Sequence, residues 1–190
     1  MHLEPVDEPR AWLVLGHGAG GGVTARDLVA ATAAGHDSGC AVALVEQPYR
    51  VAGRRSPAPA RQLDTSWVAV VEGLRATVVG ELPLVVGGRS SGARVACRTS
   101  DVTGAAGVVC LAFPLCPPRR KQGAEPPSRL DELEAVTVPV LVVQGARDPF
   151  GMPPPGPART VVEVSGDHSL RTDQGAVRAG VSSWLHELLT

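Results

Sequence analysis

Six short runs of apolar residues recur along the 190-residue chain, and they constrain its fold more than any other feature of the sequence. The runs are rich in valine and leucine and do not alternate with polar residues. Strands that are buried on both faces have this pattern, which is typical of parallel sheets. The six runs are Ala11–Leu15, Ala41–Val45, Leu84–Val86, Gly107–Ala112, Val138–Val143 and Thr160–Val164.

Segments with helical periodicity lie between these runs and after the last one. One apolar stripe, with spacings of three and four, consists of Leu63, Trp67, Val70, Leu74 and Val78. A second stripe consists of Val177, Val181, Trp184 and Leu188. Thr24 with Asp27 has the spacing of a helix start. Ser128 with Asp131 has the same spacing. This order predicts a single α/β domain over residues 1–190, with a mostly parallel sheet of about six strands and helices on both faces.

Charge and composition exclude several classes of function. The net charge is -1, which gives no electrostatic footprint for nucleic acid or a membrane surface, and the short basic run 119–121 is interpreted as a solvated loop. The N-terminus has no apolar stretch of a signal peptide, and no run of about 18 apolar residues predicts a membrane span. Histidines and cysteines lack metal-ligand spacing. We expect a cytoplasmic protein with no metal and no cofactor, in an oligomeric state that the sequence leaves open.

Sheets of this class bind ligands at the carboxyl ends of their strands, so the residues that follow each run are candidates for chemistry. Gly16–Gly21 follows the first run and has three interpretations. The glycines match the GxGxxG dinucleotide fingerprint, with Glu46 as the acidic partner. The segment also fits an oxyanion loop, in which a backbone N–H stabilises a tetrahedral intermediate. A simple glycine-rich turn remains the third.

Ser90 lies in a GxSxG sequence that directly follows the run Leu84–Val86 and precedes a helical segment. This context is the one required for a nucleophile elbow, where the chain turns sharply from strand to helix. Gly88 and Gly92 remove side chains that would clash across the turn. The N–H of Ser91 then points towards a developing oxyanion. The pattern predicts Ser90 as a nucleophile, with an ordinary serine-rich turn as the alternative.

Asp148 and His168 complete a constellation with Ser90. Asp148 follows the run Val138–Val143, and His168 follows Thr160–Val164. An acid and a histidine in these places can orient and activate a serine hydroxyl. The chain order Ser, Asp, His is that of α/β-hydrolases. The constellation predicts a serine hydrolase acting on a small-molecule acyl substrate, an ester or a thioester.

Two further residues are candidates for substrate binding, Arg89 and His17. Arg89 precedes the nucleophile and would bind an anionic group or form a salt bridge away from the site. His17 lies in the glycine loop, where its ring would face substrate or hold the loop shape. Arg89 also keeps open a second function, that of a binding or scaffold protein that retains the fold without catalysis.

The chain resembles the compact α/β-hydrolases related to dienelactone hydrolase. Within these it most resembles a small bacterial family similar to the hydrolase-like domain of a chromatin NSL-complex subunit. The resemblance is carried, in order, by GHGAGG (16–21), EQPYR (46–50), GGRSSGAR (87–94), QGARDPFG (144–151) and GDHSL (166–170).

The resemblance implies Ser90 as nucleophile, Asp148 as acid and His168 as base. It also implies an oxyanion hole formed by the N–H groups of Ala19 and Ser91, and a serine in place of the cysteine of dienelactone hydrolase. The chain departs from the family in two ways. The leading β-hairpin is absent or reduced, and only residues 115–130 could cover the site, which is too short for a lid domain.

Overall fold

The computed structural model describes residues 1–117 and 127–190 of the protein. Seven strands form one sheet in the order β1-β3-β2-β4-β5-β6-β7, and all neighbours from β3 to β7 are parallel. The six predicted runs correspond to the six parallel strands. The strands are β1 His2–Glu4, β2 Ala11–Gly16, β3 Cys40–Val45, β4 Leu84–Arg89, β5 Gly107–Leu111, β6 Val140–Gly145 and β7 Arg159–Val164.

Strand β1 is the one strand of the seven that no apolar run predicts. It has three residues and pairs antiparallel with β3 at the edge of the sheet, where Leu3 lies opposite Ala43. An edge strand this short has no room for a periodic signal, and pairing with β3 rather than its own sequence determines it. It occupies the place of the family's leading β-hairpin, which the sequence predicts to be absent or reduced in this chain.

Helices cover both faces of the sheet, as the sequence predicts. The helices α1 and α6 pack together on one face, and α3, α4 and α5 pack in sequence on the other. Between β5 and β6 the described residues, 112–117 and 127–139, form only α5 and include no lid domain. The helices are α1 Arg26–Asp37, α2 Pro48–Val51, α3 Ala60–Leu74, α4 Ser91–Thr99, α5 Leu130–Glu134 and α6 Gln174–Leu188.

Alternate residues of each strand supply two separate cores, one under each helical layer. In β2, Leu13 and Leu15 join the core beneath α1 and α6, whereas Trp12 and Val14 join the core beneath α3 and α4. Side chains of successive strand residues point to opposite faces, which explains this division. Because helices pack against both faces of the sheet, its carboxyl edge has a fixed geometry.

A π-helical turn over Arg75–Val79 changes the apolar stripe predicted along α3. The prediction placed Val78 on the buried face, but Val78 is 41% exposed and Val79 is buried instead. A π-helical turn takes more residues than an α-helical turn, so the position above Leu74 moves one residue along the chain. The prediction for Val78 is therefore wrong.

The two predicted helix starts are displaced by one or two residues. Helix α1 begins at Arg26 after Ala25, and the Thr24 side chain does not cap it. Helix α5 begins at Leu130, and its N–H donates to Oγ of Ser128 at 3.2 Å. No helix in residues 1–117 or 127–190 is both long and apolar enough to cross a lipid bilayer. The basic run 119–121 lies outside the described residues, as does most of the predicted covering segment 115–130.

Candidate active site

Ser90 occupies the turn between β4 and α4 in a backbone conformation that residues other than glycine rarely adopt. Its backbone angles are φ 51° and ψ −106°, and α4 begins at the next residue. The Ser90 N–H donates to the carbonyl of Leu111 on β5 at 2.9 Å, which holds the turn against the sheet. Positive φ in a residue other than glycine costs free energy and marks functional turns. The nucleophile-elbow geometry predicted for GxSxG is present here.

The two glycines of the motif allow strand β2 to approach the turn closely. A Cβ atom at Gly88 or at Gly92 would collide with the carbonyl oxygen of Gly16. Gly16 itself pairs with Gly88 across the parallel ladder between β2 and β4. The absence of side chains at these positions brings the start of the glycine loop next to Ser90.

His168 lies in the loop after β7 and contacts both Ser90 and Asp148. Its Nε2 is 3.0 Å from Oγ of Ser90, and its Nδ1 is 2.8 Å from Oδ2 of Asp148. The neutral imidazole fits this arrangement when Nδ1–H donates to the carboxylate and Nε2 accepts from the hydroxyl. The three residues predicted from the sequence therefore form one hydrogen-bonded chain at the carboxyl edge of the sheet.

The carboxylate of Asp148 is held by groups on both of its oxygens. Its side chain is only 1% exposed. The N–H of Phe150 donates to Oδ1 at 2.9 Å, and Nε2 of Gln144 lies 2.9 Å from Oδ2. These donors fix the orientation of the carboxylate towards His168.

Gln144 and Phe150 are site residues that the sequence interpretation did not single out. Gln144 is fully buried at the end of the apolar run of β6, and its amide also donates to the carbonyls of Phe113 and Gly151. The Phe150 ring packs against His168 with a centroid distance of 4.3 Å. A glutamine inside an otherwise apolar strand was the available signal, because a buried amide needs partners.

The glycine loop is fixed by His17, whose ring is fully buried. Its Nδ1 lies 2.8 Å from the carbonyl oxygen of Gly18, and its Nε2 accepts from the N–H of Gln47 at 2.9 Å. Both ring nitrogens are therefore engaged by backbone. Burial lowers the pKa of His17, which keeps the ring neutral. The ring holds the loop shape and has no face towards a substrate, in contrast to the substrate-binding expectation.

Ser91 follows the nucleophile in the chain, and Ala19 follows Gly18, where an added Cβ would lie 3.4 Å from Cβ of Ser90. Ser91 is the first residue of α4, and Ala19 lies in the glycine loop, where its carbonyl accepts from the Tyr49 hydroxyl at 3.0 Å. Within residues 1–117 and 127–190, neither the N–H of Ala19 nor that of Ser91 donates to a protein acceptor. Free N–H groups next to a nucleophile are the kind of donors that an oxyanion hole needs.

The dinucleotide interpretation of Gly16–Gly21 does not fit the local geometry. That fingerprint requires the third glycine to open a helix, with the pyrophosphate at the helix N-terminus. Here α1 begins at Arg26, beyond a loop that follows Gly21. The proposed acidic partner Glu46 is instead 3.9 Å from Nε2 of His2, at the opposite edge of the sheet from β7. Gly16 and Gly18 instead pack closely against the elbow.

Arg89 is tied to its own protein on two sides. Its Nε is 2.8 Å from Oδ2 of Asp27, whose side chain is 1% exposed, and its Nη2 donates to the carbonyl of His168 at 3.0 Å. Burial raises the pKa of Asp27, and the neighbouring guanidinium counteracts that effect. Arg89 thus forms a salt bridge, and its guanidinium also anchors the histidine loop.

No group of three or more metal-ligating side chains comes together in the described ranges 1–117 and 127–190. The chemistry available at the site is that of a serine hydroxyl, an imidazole and a carboxylate. These groups are those required for nucleophilic acyl transfer.

Comparison with known proteins agrees with this architecture. Residues 9–180 match the family described as an alpha/beta hydrolase domain. No curated protein sequence matches the chain.

Several solved structures share the fold at low sequence identity. Est1E from Butyrivibrio proteoclasticus, solved with ferulic acid, has a TM-score of 0.76 and 15% identity, covering 98% of this chain and 93% of its own. A lidless serine hydrolase from Xanthomonas campestris has a TM-score of 0.70 and 18% identity, covering 96% and 87%. Mouse alpha/beta hydrolase domain-containing protein 10 has a TM-score of 0.67 and 13% identity, covering 98% and 93%. The chain belongs to the alpha/beta hydrolase family.

Proposed function

We propose that the protein is a serine hydrolase that cleaves a small ester or thioester through an acyl-enzyme intermediate. The observation that carries the proposal is the hydrogen-bonded chain from Ser90 through His168 to Asp148, with Ser90 at positive φ. The proposal assigns the nucleophile to Ser90, the general base to His168 and the orienting acid to Asp148.

In the acylation step, Nε2 of His168 takes the proton from Oγ of Ser90 as that oxygen attacks the substrate carbonyl carbon. The 3.0 Å separation of these atoms is within reach for direct proton transfer. Asp148 remains ionised and stabilises the imidazolium that forms. When the tetrahedral intermediate collapses, His168 gives the proton to the departing alcohol or thiol, leaving the acyl group on Ser90.

The tetrahedral intermediate carries a negative oxygen, which the proposal places against the N–H groups of Ala19 and Ser91. Their lack of other acceptors in the described part of the chain supports this assignment. A single donor of this kind contributes about 10²–10³-fold to the rate in well-studied hydrolases. His17 contributes indirectly, because it fixes the loop that carries Ala19.

Water completes the reaction in the reverse sense. His168 takes a proton from water, the hydroxide attacks the acyl carbon, and Oγ of Ser90 leaves with the proton returned from His168. The products are a carboxylic acid and the free enzyme, and the cycle needs no cofactor. A cytoplasmic location and the closer kinship with the dienelactone-hydrolase group and its NSL-related family stay predictions.

Intact-mass detection of a fluorophosphonate adduct tests the proposal. We expect one adduct on the wild type, none on Ser90→Ala, and a slow or absent reaction on His168→Ala. Ser183→Ala, an exposed serine on α6, is the matched control and should react like the wild type. A folded wild-type protein that forms no adduct would instead favour the non-catalytic scaffold function.

A further inference from the structure

A cavity of about 640 Å³ lies between the glycine loop and the N-terminal end of α1. Its lining includes Arg89 and Ser169, the chain neighbours of the nucleophile and the base, together with Gly20 and Gly21 of the glycine loop. A substrate acylating Ser90 would therefore have part of its structure in or next to this cavity. The remaining question is which chemistry the cavity suits.

The charged side chains that line the cavity are three arginines and one aspartate. They are Arg26, Arg89, Arg171 and Asp27. Asp27 is 1% exposed and forms its ion pair with Arg89, so these two charges offset each other. Two positive charges, on Arg26 and Arg171, remain at the rim.

Arg26 and Arg171 differ from several other arginines of the molecule in their ion pairing with carboxylates. Arg94, Arg98 and Arg178 each contact a carboxylate of the protein. Within residues 1–117 and 127–190, Arg26 and Arg171 form no such pair. Two exposed guanidinium groups on one cavity raise the local concentration of anions and offer bidentate donors to a carboxylate.

Arg89 links the cavity to the reacting atoms. A Cβ built on Gly18 would lie 2.8 Å from Nη1 of Arg89 and 3.4 Å from Cβ of Ser90, so the guanidinium and the nucleophile both pack against Gly18. Its Nε and Nη2 are already engaged, by Asp27 and by the carbonyl of His168. The Asp27 pair and the carbonyl of His168 thus hold Arg89, and within residues 1–117 and 127–190 its Nη1 donates to no protein acceptor.

We infer that this cavity is a carboxylate-binding subsite, and that the substrate is an ester bearing a negative charge. The inference rests on the proposed hydrolase function and deepens it by naming the substrate class. Arg26 and Arg171 attract and bind the carboxylate of the substrate. Arg89 positions that carboxylate relative to Ser90.

Two pairs of matched esters test the inference and locate the charge. On the acyl side, 4-nitrophenyl hydrogen adipate is compared with its methyl ester. On the leaving-group side, 4-acetoxybenzoate is compared with methyl 4-acetoxybenzoate. We expect kcat/KM to favour the anionic member of at least one pair by about tenfold, and the preference to shrink at high ionic strength. Equal rates within both pairs, from an enzyme that forms the fluorophosphonate adduct, would overturn the subsite and leave the hydrolase function standing.

Arginine variants assign the preference to the cavity. Arg26→Gln and Arg171→Gln should each reduce the anionic preference by about threefold to fivefold, as expected for exposed charge pairs, and the double variant should abolish it. Arg61→Gln on α3 removes the same charge from an exposed residue outside the cavity and should keep the full preference. A preference that survives the double variant would assign it to another site.

A binding measurement separates failure of the subsite from failure of the hydrolase function. Ser90→Ala is titrated calorimetrically with 4-nitrophenyl hydrogen adipate and, separately, with 4-acetoxybenzoate, neither of which this variant is expected to turn over. Binding of either ester that is lost when Arg26→Gln and Arg171→Gln are added supports the subsite even if the wild type proves inactive. Absence of any binding, together with absence of charge preference, overturns it.

Discussion

Nε2 of Gln144 lies 2.9 Å from Oδ2 of Asp148, the same oxygen that contacts Nδ1 of His168. The amide has only two protons, and it also contacts the carbonyls of Phe113 at 3.0 Å and Gly151 at 2.8 Å. One buried side chain thus ties the carboxylate to two separate loops. We therefore expect that a change at Gln144 alters the orientation of His168, because Asp148 contacts both side chains.

The substitution Gln144→Met keeps a side chain of similar length and removes this donor. We expect kcat to fall about tenfold with KM nearly unchanged, because Gln144 touches the acid rather than the substrate. Stability should fall by about 1–3 kcal/mol, since buried acceptors lose their partner. Steady-state kinetics and urea denaturation check the two parts.

The control for this change is Gln62→Met on the exposed surface of α3, which should alter neither quantity. A loss of stability in Gln144→Met without a change in kcat would limit Gln144 to a structural role.

Ser90→Gly and Ser90→Ala should both be inactive but should differ in stability. Ser90 has φ 51°, where glycine is tolerated and alanine is strained. We expect Ser90→Gly to be more stable than Ser90→Ala by about 1 kcal/mol, measured by thermal denaturation. Equal stability of the two variants would mean that the elbow relaxes once the hydroxyl is lost.

Two helical glycines should respond in opposite directions to alanine. In Gly92→Ala the new Cβ would collide with the Gly16 carbonyl, and separating β2 from α4 should cost several kcal/mol. In Gly73→Ala on α3 the new Cβ meets nothing within 4 Å, so the variant should gain about 0.5–1 kcal/mol. Denaturant midpoints of both variants measure these changes in stability. A Gly92→Ala variant as stable as the wild type would refute the tight contact between β2 and α4.

Stability should decline on mild acidification through His17. Burial lowers the pKa of His17 below the ordinary value of 6.5, so the unfolded chain binds a proton that the folded chain refuses. The stabilisation is complete above pH 6.5 and is lost as the pH falls from there through the folded-state pKa.

The variant His17→Gln tests the origin of this pH dependence. Its amide oxygen can still accept from the N–H of Gln47, but the side chain does not titrate. We therefore expect a flatter profile of unfolding free energy below pH 6.5 than in the wild type. Asp27, with a raised pKa, acts in the opposite direction and is common to both proteins. Parallel profiles would show that His17 is not responsible.

The sequence predicts the parallel sheet, and it predicts which residues meet at the carboxyl edge of that sheet, because both depend on local signals. Each buried strand carries its own apolar run, and Ser90, Asp148 and His168 each follow one of them. Features that lie outside the apolar runs depend on strand pairing and on side-chain packing. Strand β1 exists because β3 offers it an edge. The buried position of Val79 depends on a π-helical turn that no spacing rule anticipates.

Supporting side chains were harder to predict than the reacting ones. Gln144, Asp27 and Tyr49 act through contacts with residues brought close only by the fold, such as Phe113, Arg89 and Ala19. A buried polar side chain signals that a partner exists, but the identity of that partner is a property of the tertiary structure. His17 illustrates the converse, since a plausible ligand-binding residue proved to be fully used by backbone.

Ser90 and His168 are separated by 78 residues, and they meet only because β7 docks beside β6. During synthesis from the N-terminus, the elbow and its hydroxyl can form while the base is still absent. A nascent chain that ends before β7 therefore carries an unactivated serine and is chemically silent. On the proposed function, hydrolysis begins only when the last strand joins the sheet, so activity would report completed folding.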